Sequence, residues 1–190
     1  MPQQDVRLKN LLNRGFAAQQ AGDLSLSEQF YRQVIEHAES SGFEQHSEYA
    51  DACYMLGVVY SRQQKWFKAI EWMQKAIQLN PERPIYFFNL GQALSVQGRL
   101  ADARKAYTQA LKLNPDLHSA RFELGLSYTQ ENKHIQAIPF FQEILKKKPE
   151  HVQAAFQLGE CLQVLKHHSE AIKAFKMAIA ANPQDGHKTP

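Results

Sequence analysis

Apolar residues recur three and four positions apart along nearly all of the 190 residues, the spacing that lays them on one face of an α-helix. These helical stretches come in pairs, and the pairs come at a fixed distance. Asn80-Pro81, Asn114-Pro115, Lys148-Pro149 and Asn182-Pro183 each stand 34 residues from the next. Proline cannot continue a helix interior, so each step marks a stop before a new pair. A Leu-Gly step falls once in every interval: Leu56-Gly57, Leu90-Gly91, Leu124-Gly125 and Leu158-Gly159. Ala69, Ala103, Ala137 and Ala171 follow twelve residues after the glycines, and Met73, Tyr107, Phe141 and Phe175 four residues later. Four landmarks held in one phase specify a tandem repeat of helical hairpins.

Each landmark has a physical reading. A mid-helix glycine costs about 1 kcal/mol relative to alanine, so Gly57 and its equivalents predict a close approach by a neighbouring helix. The alanine column serves the same end on the second helix. The Met or aromatic column is predicted to fill the space between units. The units are 50–83, 84–117, 118–151 and 152–185. A degenerate unit, 8–41, precedes them; it keeps Gly15, Gly22 and Tyr31, has Ser27 in the alanine column and lacks the proline. Residues 42–49 are an insertion that predicts a lengthened second helix and a longer loop, and 186–190 form a short tail. Pro139 is expected early in its helix: its missing donor is cheap if it falls in the first turn, and the helix kinks if it starts earlier.

The third unit carries Phe87, Leu90, Gly91, Leu94, Gly98, Ala103, Tyr107, Ala110 and Pro115, and this pattern resembles the tetratricopeptide repeat family. The resemblance covers 8–185 and implies an all-α fold: a right-handed α-solenoid of about five helix hairpins, forming one domain over 1–190. It also implies that the first helix of each unit, helix A, lines a concave face. Units of this kind share their stability with neighbours. They rarely carry catalysis, so no enzymatic activity is expected.

With the Leu-Gly face turned to the core, the opposite stripe of helix A lines the groove. Its fifth position reads Leu12, Tyr54, Phe88, Phe122 and Phe156. Such a stripe serves either as a set of interaction hot spots or as packing between units. The sixth position reads Asn13, Met55, Asn89, Glu123 and Gln157. Some relatives carry an asparagine ladder there that holds a peptide backbone; here Met55 and Glu123 break it. Gln92, Ser95 and Thr129 extend the polar wall, with Arg62 and Glu160 as scattered charges. The family's clamp for a C-terminal carboxylate needs basic and amide residues where this chain has Tyr54, Val58, Asn89, Ser119 and Glu123. Only Asn89 fits, so a chaperone clamp is excluded.

Composition narrows the classes further. With 22 basic and 19 acidic residues the net charge is +3, and no basic stripe suits a nucleic-acid ligand. Lys146, Lys147 and Lys148 fall at a helix end, where cations complement the dipole. No phosphate-binding Gly-rich loop is present. His167 and His168 face different ways, and no metal site or cofactor is expected. Cys53 and Cys161 read as reduced core thiols. No apolar run reaches membrane-spanning length, and 1–14 lack the apolar centre of a signal peptide. A cytoplasmic location is the resulting expectation.

The expected function is a scaffold or adaptor that binds a protein or peptide through Asn13, Tyr54, Phe88, Asn89, Gln92, Phe122, Phe156 and Gln157. Two alternatives stand beside it: the targeting module of a larger glycosyltransferase or methyltransferase, and an assembly factor of a secretion or pilus complex. A native stop after Pro190 favours the adaptor, a continuing frame the module. The last helix, expected over 169–181, carries Ile172, Phe175 and Ile179 with no following unit in this sequence. That predicts self-association, a docked partner through these residues, or truncation of a longer native chain.

Overall fold

The computed structural model describes residues 2–42 and 47–181. They form ten helices and no strand: α1 (Pro2–Gln20), α2 (Leu24–Ser41), α3 (Ser47–Arg62), α4 (Trp66–Leu79), α5 (Pro84–Val96), α6 (Leu100–Leu113), α7 (His118–Thr129), α8 (His134–Lys147), α9 (Val152–Val164) and α10 (His168–Ala181). Each odd helix and the even helix after it make one hairpin. The chain divides into two compact bodies, Met1–Leu113 and Asn114–Pro190. In the first, each helix packs on the next, and α3 touches α1 and α5. In the second, α7 to α10 pack in sequence order.

The helix lengths follow the sequence. The later second helices α4, α6, α8 and α10 each have 14 residues, whereas α2 has 18, the lengthening that the insertion predicts. Gly42 ends α2 in the left-handed region at φ 70° and returns its N–H to the Ala38 carbonyl, a common helix stop. The predicted longer loop falls largely on 43–46, outside the described residues, as does the tail 186–190. Two helices start earlier than the repeat does: α1 at Pro2, ahead of 8, and α3 at Ser47, ahead of 50.

The turn inside every hairpin is built alike. Gly22, Gln64, Gly98, Asn132 and Lys166 occupy the same place, and all have φ between 58° and 82°. Glycine adopts that geometry freely, asparagine tolerates it, and glutamine and lysine do so at a cost.

The hairpins close through one contact repeated five times. A Cβ placed on Gly91 would meet the Tyr107 ring at 2.5 Å, and one on Gly57 the Met73 Cγ at 2.8 Å. Tyr31, Phe141 and Phe175 lie in the same way on Gly15, Gly125 and Gly159. Each of these side chains seats on the glycine of its own hairpin, while Tyr31 and Phe141 also belong to clusters shared with the following unit. The alanine column is buried throughout. Its variant Ser27 is buried too, and its hydroxyl donates to the Gly15 carbonyl at 3.0 Å, which removes the penalty of an unpaired polar group.

Pro139 takes the second of its two expected places. Because α8 begins at His134, Pro139 lies inside the helix rather than in its first turn, and its absent N–H leaves the Ile135 carbonyl without its helical donor.

Polar contacts fasten α2 to its neighbours. The Tyr60 hydroxyl donates to Glu28 at 2.8 Å, and Arg32 donates to Glu28 at 3.1 Å and to the Tyr60 oxygen. Lys75 and Tyr49 both donate to Glu39, at 2.9 and 2.8 Å. The two ends of the sequence differ in character. Arg14 replaces the leucine of the Leu-Gly step, and Asn10, Arg14 and Ala17 are exposed on α1. On α10, Ile172 and Ile179 are 54% and 62% exposed.

Candidate protein-interaction surface

In the first body, the C-terminal half of α3, the first half of α4 and the middle and end of α5 line an open cavity of about 350 Å³. Its apolar walls are Val58, Trp66, Met73, Ala93 and Val96; its polar lining is Ser61, Arg62, Asn89 and Gln92. Val58, Ser61 and Arg62 lie on the helix-A stripe opposite the Leu-Gly face, as do Asn89, Gln92 and Val96 on α5. Buried alanine at Ala93 lets the two helices approach closely, while Val96, 59% exposed, stands at the mouth. A few amide and hydroxyl groups over an apolar floor is the usual make-up of a binding pocket.

Tyr54 and Asn89 support this wall from beside the cavity and within it. The Asn89 amide donates to the Tyr54 hydroxyl. The Tyr54 ring is buried and stacks on Tyr86 with centroids 4.4 Å apart. Burial pushes the Tyr54 hydroxyl up to about 12, against the opposing Asn89 hydrogen bond. Tyr86 in turn donates to Asp51. Tyr54 therefore holds α3 and α5 in register, and Asn89 keeps its carbonyl and second amide hydrogen for another partner. Gln92 is exposed.

The other expected residues are dispersed. Phe88 is half-buried, its centroid 6.1 Å from that of Tyr107. Asn13 is exposed on α1 and lines no part of the cavity. In the second body, Phe122 lies half-buried between Phe141 and His151, at 5.7 and 5.6 Å. Phe156 is 48% exposed beside Phe175. Gln157 donates to Glu160 at 2.8 Å. The aromatic column thus grades from wall to open surface, each phenylalanine resting on the second-helix ring of its own hairpin. Phe175 is half-buried, while Ile172 and Ile179 face outward.

Trp66, Met73 and Val96 were not among the expected site residues. Trp66 could have been found by column comparison: its equivalents are Leu24, Leu100, His134 and His168, so a large ring at the head of α4 is peculiar to this hairpin. Met73 was expected to fill the space between units, and it both seats on Gly57 and lines the cavity against α5.

Both thiols are buried, and burial pushes them up, Cys53 to about 12 and Cys161 to about 11, away from the range of a reactive thiolate. Among the described residues, no group of three metal-ligating side chains comes together, and no helix is long and apolar enough to cross a membrane.

Three models of the tetratricopeptide repeat match the chain, over residues 7–82, 88–150 and 128–187. The chain is a tetratricopeptide-repeat protein. Its all-α solenoid fold is shared with solved structures. The crystal structure of MamA aligns with a TM-score of 0.81 at 23% identity, covering 90% of this chain and 96% of that one. YrrB, described as a tetratricopeptide-repeat protein with an unusual peptide-binding site, aligns at 0.76 and 22% identity, covering 92% and 86%. PilF of Pseudomonas aeruginosa aligns at 0.77 and 22% identity, covering 94% and 78%. At these identities the likeness concerns the tetratricopeptide fold alone. No sequence among curated proteins matches the chain.

Proposed function

We propose that this tetratricopeptide-repeat chain is a non-catalytic scaffold that binds a peptide segment of another protein on the helix-A stripe, with the α3–α5 cavity as its anchor site. The observation that carries this reading is the cavity itself. Its walls combine an exposed-edge valine, a tryptophan and a methionine with two amide side chains, the pairing of apolar anchor and backbone hydrogen bonding that peptide recognition uses. The peptide-binding description of YrrB supports the same reading by likeness of fold. Phe88, Phe122, Phe156, Asn13 and Gln157 are flanking contacts in this proposal.

The deciding experiment is affinity capture of partners from a cell lysate by the wild-type chain and by Gln92→Trp, which narrows the cavity at an exposed position. Partners bound by the wild type and lost by the variant, with the melting temperature unchanged, support the groove. Equal capture by both would place binding elsewhere on the molecule.

A further inference from the structure

We infer that the anchor site is selective: it takes an extended, internal peptide segment in which one large apolar side chain enters the cavity and an Asp or Glu side chain close to it in sequence pairs with Arg62. The inference rests on the groove reading above and adds the chemistry of the ligand. Arg62 is the one charged residue among those lining the cavity. Elsewhere in the first body Arg32 pairs with Glu28, Lys75 with Glu39 and Arg83 with Asp51. Arg62 pairs with no carboxylate among the described residues; its guanidinium donates to the Gln19 carbonyl through Nη1 at 3.4 Å. A guanidinium presents five donors in a planar fork, so most of them remain for a carboxylate, which the fork grips through two hydrogen bonds. Trp66, the first residue of α4, brings the positive end of that helix to the same wall, which further favours an anion.

The carboxylate belongs to a side chain rather than to a chain terminus. Asn89 and Gln92 line the α5 wall one helical turn apart. Two amides in that relation serve the peptide groups of a segment that runs on past the anchor. The apolar floor of Val58, Met73 and Ala93 fixes the other requirement, since a cavity of about 350 Å³ with no buried charge rewards a large aliphatic or aromatic side chain.

The test is selection from a random twelve-residue peptide library displayed on filamentous phage as N-terminal coat-protein fusions, so that no displayed peptide has a free C-terminus. The full chain, Arg62→Glu, Arg62→Gln and Gln92→Trp are panned in parallel, with folding checked by thermal melts. The expected result is a wild-type consensus with a large apolar residue and Asp or Glu within three positions of it. Synthetic, C-terminally amidated versions should bind Arg62→Gln about tenfold more weakly than the wild type. Arg62→Glu should exchange the acidic preference for a basic one; if that variant fails to fold, the Arg62→Gln comparison decides alone. Apolar peptides without acidic bias, or with affinity unchanged by Arg62→Gln, would overturn the selectivity and leave groove binding intact. Binding only by free-acid and not by amidated peptides would overturn it in favour of a terminal carboxylate. Peptides that do not distinguish the wild type from Gln92→Trp, or no enrichment at all, would overturn the groove reading and this inference with it.

Discussion

At the scale of the residue, the sequence showed where glycine is required but not what it meets. The Leu-Gly column predicted a close approach, and the partner turned out to be chiefly one side chain of the same hairpin, joined at Gly57 by the Ala69 carbonyl oxygen and the Met73 nitrogen. Nothing in linear spacing distinguishes a ring seated on its own glycine from one that bridges units, because both require the same residue types. The rigidity of that partner sets the cost of change. Gly91→Ala drives a methyl group into a buried tyrosine ring at 2.5 Å and should cost roughly 2–3 kcal/mol. Gly57→Ala meets the Met73 Cγ at 2.8 Å and also the Ala69 carbonyl oxygen at 3.1 Å and the Met73 nitrogen at 3.2 Å. Backbone atoms do not yield as a methionine chain does, so it should cost a similar amount; urea denaturation of the two variants checks this. The turn residues offer the opposite change. Gln64→Gly and Lys166→Gly relieve a left-handed backbone at φ 60° and 63°, and each should stabilise by roughly 1 kcal/mol, raising the melting temperature. The same substitution at Asn132 should give less.

At the scale of the element, helix lengths and pairings were legible because 34-residue phasing leaves little freedom. The start of α8 was not. His134 lies five residues before Pro139, and only the observed first turn decides that the proline is interior. Pro139 is solvent-exposed, so Pro139→Ala restores the hydrogen bond to Ile135 without disturbing the core. It should stabilise the chain by roughly 1–3 kcal/mol, again read from denaturant unfolding. The join between α2 and α3 makes a prediction about pH. Burial draws the Glu28 carboxyl upward, but hydrogen bonds from Tyr60, Gln63 and Arg32, with the Arg32 charge, outweigh it and hold the group below its ordinary value of 4.5. A carboxyl depressed by folding adds stability above its unfolded value, and that contribution fades as pH falls through the folded value. The wild type should therefore lose stability more steeply than Glu28→Gln between pH 5 and the folded value, and the two curves should converge in stronger acid. The candidate cavity was only partly legible for a related reason. Asn89 and Gln92 lie on a column that the repeat defines, whereas Trp66 belongs to the other helix of its hairpin, and only packing brings it to the same wall.

At the scale of the whole molecule, the contrast between the two ends of the chain governs what self-association can look like. α1 offers exposed Asn10 and Arg14 where the later units have alanine or tyrosine and leucine, which makes it a more polar partner for the α10 of another copy, although Val6 and Phe16 are exposed on the same helix. Head-to-tail stacking into filaments is thereby disfavoured. We propose that association through Ile172 and Ile179 is symmetric, α10 against α10, a contact that closes on itself. The proposal that this surface self-associates thus predicts a monomer–dimer equilibrium with no larger species in light scattering across a concentration series. Ile172→Lys with Ile179→Lys should shift the equilibrium to monomer at unchanged helix content, since both side chains are already exposed. A strict monomer at high concentration would remove the proposal.

The ring seated on its own glycine also has a consequence for how the chain can change over generations. In every hairpin the two partners stand sixteen residues apart, and both travel within one 34-residue segment. Neither can vary alone without a clash or a void, yet the pair is free to vary together. Gly91→Ala should be rescued by trimming Tyr107 to a smaller side chain, a substitution that is harmful by itself. Each duplicated segment carries a complete lock with it, so copies can diverge elsewhere while this linked pair is inherited as a single character. In the Gly57–Met73 hairpin a methionine stands where the others have a ring, and the Ala69 carbonyl oxygen, 3.1 Å from a Cβ on Gly57, still demands glycine beside it.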